Sequence, residues 1–245
     1  MLNEIVHGDC LEVMPSIPDK SIDMILCDLP YGTTACKWDT VIPFEPLWKE
    51  YKRLIKDNGA IVLTASQPFT SALVMSNPDM FRYDWVWDKR KPSNFLNANR
   101  TPLMKHESVL IFYNLFPVYN PQKTTGKTRY KGGKKYANNG CYGDYGEYER
   151  VQYNEYFPKS IIEISNAKQK GKVHPTQKPV ALFEYLIRTY TNEGETVLDN
   201  CIGSGTTAIA CINTNRNFIG IEKEEKYVGI ARKRIAEYHR QMSIV

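Results

Sequence analysis

The sequence predicts an α/β fold with a mostly parallel, doubly wound sheet and one basic insert. Three observations carry this reading. Short continuous apolar runs of strand length alternate with segments of helical period at both ends of the chain. The alternation stops near residue 114 and resumes near residue 174. The positive charge of the chain is concentrated in that gap. The expected organisation is therefore 1–113 as one part of an α/β domain, 114–173 as the insert and 174–245 as the other part.

The first part opens with a short strand, Glu4 to His7, ending in Gly8-Asp9. Ile22 to Cys27 is a continuous apolar run followed by Asp28-Leu29-Pro30-Tyr31-Gly32. Phe44, Leu47, Trp48, Tyr51, Leu54 and Ile55 recur at helical spacing, with Asn58-Gly59 as the expected stop. Ala60 to Ala65 reads as a buried strand, Pro68 to Ser76 as a helix, and Tyr83 to Trp87 and Ser108 to Tyr113 as two more strands. In the last part a helix begins near Lys178. It is followed by a strand from Thr196 to Asp199, a helix from Thr206, a strand from Asn217 to Ile221, and a final helix aligning Val228, Ala231, Ile235 and Tyr238.

Composition excludes several classes. At 42% hydrophobic and 24% charged residues, the 245-residue chain is neither disordered, collagenous nor disulfide-dense. No apolar run approaches the ~18 residues of a membrane helix. The start, MLNEIVHGDC, lacks the charged and apolar regions of an export signal. The six cysteines contain no C-x-x-C pair, so reduced thiols in a cytoplasm are expected, with no metal site.

The insert has little periodicity and mixes Tyr with Lys. Between Tyr113 and Val173 eleven cations face five acids, an excess of six in a chain whose net charge is +5. Nine of the 16 tyrosines fall in the same stretch. Lys127, Arg129, Lys131, Lys134 and Lys135 form a cluster suited to neutralising phosphates, so a polyanion is the natural partner.

Two segments carry chemistry. In the first, an apolar strand ends in Asp199, and Asn200-Cys201-Ile202-Gly203-Ser204-Gly205 turns into a helix at Thr206. The glycines let the backbone approach a ligand. Glu222, at the end of the next strand and 19 residues after Gly203, suits a carboxylate holding ribose hydroxyls. The third glycine of the dinucleotide fingerprint is missing, so a nucleoside without phosphates fits better than NAD; S-adenosylmethionine (AdoMet) is the obvious candidate. In the second, Asp28-Leu29-Pro30-Tyr31 stands directly after a buried strand, where open α/β sheets place their chemistry. It offers an acceptor carboxylate, a stiff turn and an exposed aromatic able to stack on a planar base.

Taken together these segments resemble the β class of AdoMet-dependent DNA amino-methyltransferases, the adenine-N6 and cytosine-N4 methylases. Asp28-Leu29-Pro30-Tyr31 is similar to their (D/N/S)-P-P-Y motif. Asp199 to Thr206 is similar to their D-x-F-x-G-S-G-T motif, and His174-Pro175-Thr176-Gln177-Lys178-Pro179 to their H-P-x-x-K-P segment. The order of the three is that of the class. Leu29 replaces a proline but keeps the backbone carbonyl, and Cys201-Ile202 stands where Phe is usual.

The resemblance implies a Rossmann-like methyltransferase fold in which the insert is the target-recognition region. It implies AdoMet held by Asp199, Gly203, Ser204, Gly205 and Thr206, with Glu222 on the ribose and Asp9 and Cys10 near the adenine. Thr176 and Lys178 would lie at the methionine tail. Asp28, Leu29, Pro30 and Tyr31 would receive a base flipped out of duplex DNA, and Asp28 in first place favours adenine. The segment Asn94 to Asn99 with Lys105-His106-Glu107 would lie close to the DNA. Relatives of this class are often dimers, so a homodimer is expected by analogy. A restriction-modification role follows the same analogy. The alternatives are cytosine-N4 transfer, methylation of RNA or protein, and a catalytically dead DNA-binding module.

Overall fold

The computed structural model describes residues 1–33, 36, 39–131, 151–167 and 177–242. The chain forms two compact units, Met1–Asn120 with Ser160–Val245, and Pro121–Lys159.

The larger unit contains β1 (Glu4–His7), α1 (Cys10–Val13), β2 (Ile22–Cys27), α2 (Phe44–Leu54), β3 (Ile55–Ala65), α3 (Phe69–Ser76), β4 (Phe81–Ser93) and β5 (Met104–Phe112). The smaller unit holds β6 (Thr124–Lys131) and β7 (Val151–Tyr156). The larger unit resumes with β8 (Ile161–Glu163), α4 (Val180–Tyr190), β9 (Thr196–Asp199), α5 (Thr206–Asn213), β10 (Asn217–Glu222) and α6 (Glu225–Met242). Eight strands make one sheet in the order β1-β10-β9-β2-β3-β5-β4-β8. All its pairings are parallel except the two made by β5. The mostly parallel, doubly wound sheet is thus the one the sequence predicts.

Alternate strand residues supply the two cores, as a period of two requires. Met24 and Leu26 of β2 and Ala60 and Val62 of β3 join Leu186, Ala208 and Val228, from α4, α5 and α6, on one face. Ile25, Cys27, Ile61 and Leu63 join Trp48, Tyr51 and Leu73, from α2 and α3, on the other. The connection from β9 through α5 runs outward to β10, and that from β2 through α2 runs the opposite way to β3. The sheet therefore has its topological switch between β9 and β2, where such sheets bind ligands at the strands' carboxyl ends. No helix among the described residues is long and apolar enough to cross a membrane.

Three local readings differ. Asn58-Gly59 does not stop α2; the helix ends at Leu54, and both residues lie inside β3 beside a register shift between Ile22 and Met24. A Cβ at Gly59 would come within 2.7 Å of the Asp23 carbonyl, so the glycine serves a close approach rather than a cap. Ile161–Glu163, inside the expected insert, pairs with β4 in the main sheet. The aperiodic insert also contains an antiparallel strand pair, β6 and β7.

Candidate active site

Both chemistry-bearing segments line one cavity of about 360 Å³ at the switch between β9 and β2. Asp28, Leu29, Pro30 and Tyr31 meet Asp199, Gly203, Ser204 and Thr206 there, with Asp9, Cys10 and Glu222 on the same wall. Gly205, between Ser204 and Thr206, is not among the residues that line it.

The corner at the end of β2 is built by side chains from distant parts of the chain. Asp28 follows β2. Its Oδ1 accepts from the Tyr31 hydroxyl at 2.8 Å and from the Thr64 hydroxyl, and its Oδ2 faces the Lys178 ammonium at 2.9 Å. A carboxylate offers about four lone-pair directions. Three donors leave Asp28 one, at the edge of the cavity.

Lys178 is buried and also meets Glu107 Oε2 at 3.1 Å; Glu107 Oε1 in turn faces the buried Lys89 at 3.3 Å. The result is an alternating row of two cations and two carboxylates. Burial alone would pull the Lys178 pKa down, but the Asp28 and Glu107 carboxylates outweigh it and hold the ammonium well above the ordinary lysine range. Tyr31 is only partly exposed. Phe69 stacks on its ring at 5.1 Å, and Lys178 lies 5.5 Å from its centroid. Burial pushes its phenol well up, so it acts as a neutral donor to Asp28. Asp39 fixes the following turn by accepting from the Gly32 and Thr33 amides at 2.9 and 3.0 Å.

The corner at the end of β9 relies on backbone amides. Asp199 is buried at the end of β9, accepting from the Cys201 amide at 3.1 Å and from the Thr207 hydroxyl. Burial raises its pKa to about 7, against hydrogen bonds that pull the other way. The turn passes through Gly203 at φ +54° and Gly205 at φ +84°. A Cβ at 205 would meet that of Ala231 at 3.2 Å, whereas one at 203 would find no atom closer than 4.0 Å, which is the open cradle a ligand needs. Glu222 Oε2 accepts from the Gly203 amide and Oε1 from the Glu224 amide, each at 2.8 Å. Burial raises its pKa, partly offset by those amides.

Arg234 of α6 braces the turn by donating to the Ser204 carbonyl at 3.1 Å and to the Thr206 hydroxyl at 3.3 Å. Asp9 caps α1 through the Leu11 amide and pairs with Lys223 at 3.0 Å. The thiols of Cys10, Cys27 and Cys201 neighbour one another, and burial pushes Cys27 up to about 12. They are packing groups rather than nucleophiles.

Gln177 and Lys178 join the two corners. Ser204 donates to Gln177 Oε1 at 3.3 Å, while the next residue holds Asp28. The family model for DNA methylases of the N6/N4 type matches residues 22–233 of the chain. The chain belongs to this DNA methylase family. Among curated relatives it is 29% identical to the type II methyltransferase M.BglII of Bacillus subtilis, over 94% of this chain and 68% of that protein. It is also 29% identical to M.HinfI of Haemophilus influenzae, over 96% and 69%. Among solved structures, the M1.HpyAVI–SAM complex superposes with a TM-score of 0.64 at 26% identity, covering 94% of this chain and 98% of that one. The cytosine-N4-specific PvuII DNA methyltransferase shares the fold, with a TM-score of 0.67 at 18% identity, covering 93% and 84%.

Lys178 lines the cavity and is held by two carboxylates of the chain. One expectation for the methylase site is corrected. Tyr31 is not an exposed aromatic, because Phe69 covers one face. Sequence reading missed Thr64 and Lys89, and it placed Glu107 only near DNA. A threonine closing the apolar run Ala60 to Ala65 was the one available signal.

In the smaller unit Arg129 and Lys131 alternate along β6 and share a face, while Lys127 lies within the register shift between Thr125 and Arg129. Arg129 stacks over Tyr156 at 5.5 Å and Lys131 over Tyr153 at 5.7 Å. His174, Pro175, Thr176, Lys134 and Lys135 lie outside the described residues.

Proposed function

We propose that this methylase transfers a methyl group from AdoMet to the exocyclic amino group of adenine in duplex DNA, after the base is flipped out. The observation that carries the reading is that one cavity joins Asp28 to Gly203 and Glu222. Bound AdoMet supplies an electrophilic sulfonium methyl. Glu222 accepts the ribose hydroxyls, Gly203 and Ser204 line the nucleoside, and Asp9 and Cys10 close the adenine end.

An adenine amine is a poor nucleophile because its lone pair is delocalised into the ring. Asp28 accepts one of its hydrogens through the acceptor direction left open, and the Leu29 carbonyl accepts the other. This draws the nitrogen toward tetrahedral geometry and localises the pair. As the nitrogen–methyl bond formed, the methyl–sulfonium bond would break and a neutral thioether would leave. Positive charge growing on nitrogen would meet a carboxylate already oriented by Tyr31, Thr64 and Lys178, and the surplus amine proton would pass by way of Asp28 to water. No step requires a protein nucleophile.

The smaller unit supplies phosphate contacts through Lys127, Arg129 and Lys131, which position the duplex without reading its sequence. Asp28, rather than the Ser frequent in cytosine enzymes, favours adenine. The test is transfer from radiolabelled AdoMet to unmethylated duplex DNA, followed by digestion to nucleosides. N6-methyldeoxyadenosine is expected. N4-methyldeoxycytidine would overturn the choice of base, and label confined to RNA or protein would overturn the substrate class.

A further inference from the structure

The hairpin between β4 and β5 has an unusual tip. Phe95 and Leu96 are 75% and 87% exposed, and Leu103 and Met104 beside them are also exposed. Four large apolar side chains in about ten residues form a patch of the kind that marks a contact surface. The tip nevertheless has its own network of hydrogen bonds. A single helical turn, Phe95–Asn97, is started by Asn94 in the left-handed region at φ +68°. Asn97 donates to the Asn94 side chain at 2.7 Å, Asn94 donates to Thr101 at 3.2 Å, and the Thr101 amide donates to the Asn97 carbonyl at 2.9 Å. Polar side chains are spent on holding the loop while the apolar ones point outward.

Charge and position identify the partner. Lys91 and Arg100, on either side of the tip, make no ion pair among the described residues, while Arg90 and Lys105 nearer the root are paired with Glu163 and Asp88. β4 runs parallel with β2 and β3, so the hairpin projects from the carboxyl edge that carries Asp28. Its root is the Lys89–Glu107 pair, one ion pair from Lys178. Ser93 and Met104 lie roughly 10 Å of strand beyond that root, comparable with the ~8.5 Å depth of a DNA groove. A rigid apolar pair flanked by two free cations beside a base-receiving cavity is a wedge for a nucleic-acid stack.

We propose that Phe95 and Leu96 insert into the base stack and fill the space left by the extruded adenine, with Lys91 and Arg100 on the neighbouring phosphates. This rests on the base-flipping reading above and adds the residues that hold the duplex open. Two measurements test it. The double variant F95A/L96A should lose tenfold or more of its turnover on unmethylated plasmid DNA while its AdoMet affinity stays at the wild-type value. Phe95→Trp should give an added indole emission that unmethylated duplex quenches and heparin, a polyanion without bases, does not.

Unchanged turnover of the double variant overturns the wedge. So does equal quenching by duplex and heparin, or a change of oligomeric state in sedimentation, which would make the patch a contact between copies. If wild-type protein methylates no DNA, the proposed activity itself fails; if it methylates DNA but the indole is not quenched, only the wedge fails.

Discussion

The two corners of the cavity are assembled in opposite ways. At the end of β9 the chain makes its site locally: Asp199, Gly203 and Glu222 are tied together by backbone amides within 26 residues. At the end of β2 a single carboxylate is held by Tyr31, Thr64 and Lys178, and through Lys178 by Glu107 and Lys89. Where the donors are backbone amides, they are present whatever the residue, and only the accepting carboxylates are demanding. A site made from buried opposite charges does not tolerate change in its side chains, since each group depends on the next for its compensation.

This contrast predicts separable failures. The largest is expected from crossing Asp28→Ala with Glu222→Gln. The first should lower kcat by about 100- to 1,000-fold while the nucleoside grip stays near wild type. The second should weaken AdoMet binding about 10- to 100-fold with kcat at saturation little changed. Calorimetric binding and single-turnover kinetics on both variants read the two axes. Loss of AdoMet binding in Asp28→Ala would mean that the corners are one unit.

Next in size is Lys178→Met, which leaves Asp28 and Glu107 facing each other without their shared cation. Removing one partner of such a buried group costs about 3 kcal/mol of stability, the lower end of the range because Asp28 keeps some water contact. Urea unfolding without cofactor measures it. A variant as stable as wild type would show that the row of charges contributes nothing net.

The last effect is graded in pH, smallest over any single pH unit, and belongs to the corner at the end of β9. Asp199 has a folded-state pKa of about 7 against an ordinary value of 3.8. Between those values the folded protein holds a proton that the unfolded chain has released, so stability falls as pH rises. The slope reaches about 1.4 kcal/mol per pH unit between roughly pH 4 and 7, and flattens above. Thermal unfolding across that range in the wild type and in Asp199→Asn checks it: the slope should shrink in the variant.

What the sequence displayed and what it hid follow the same division. The strands β1, β2, β9 and β10, the glycine turn and Glu222 were legible because each depends on neighbours in the chain. Asp28 was legible as an acceptor after a strand. Its retinue was not, because Thr64, Glu107 and Lys178 lie 36, 79 and 150 residues further on, and no local period brings them together. The exposed aromatic expected at Tyr31 failed for the same reason: Phe69, which covers it, belongs to α3. Gly59 shows a subtler failure. An Asn-Gly pair reads as punctuation, yet here it is spent inside β3 to let the Asp23 carbonyl pass.

One consequence follows from the reversed direction of β5. In a wholly parallel sheet only the ends of strands meet the working rim, and their beginnings open on the far side. Because β5 runs backward, its opening residues arrive at the rim instead, bringing Glu107 to the place where β4 delivers Lys89. The turn that joins them therefore leaves from the same rim, free to vary in length without disturbing either anchor. A search for working groups confined to the residues just after each strand would pass over this hairpin entirely.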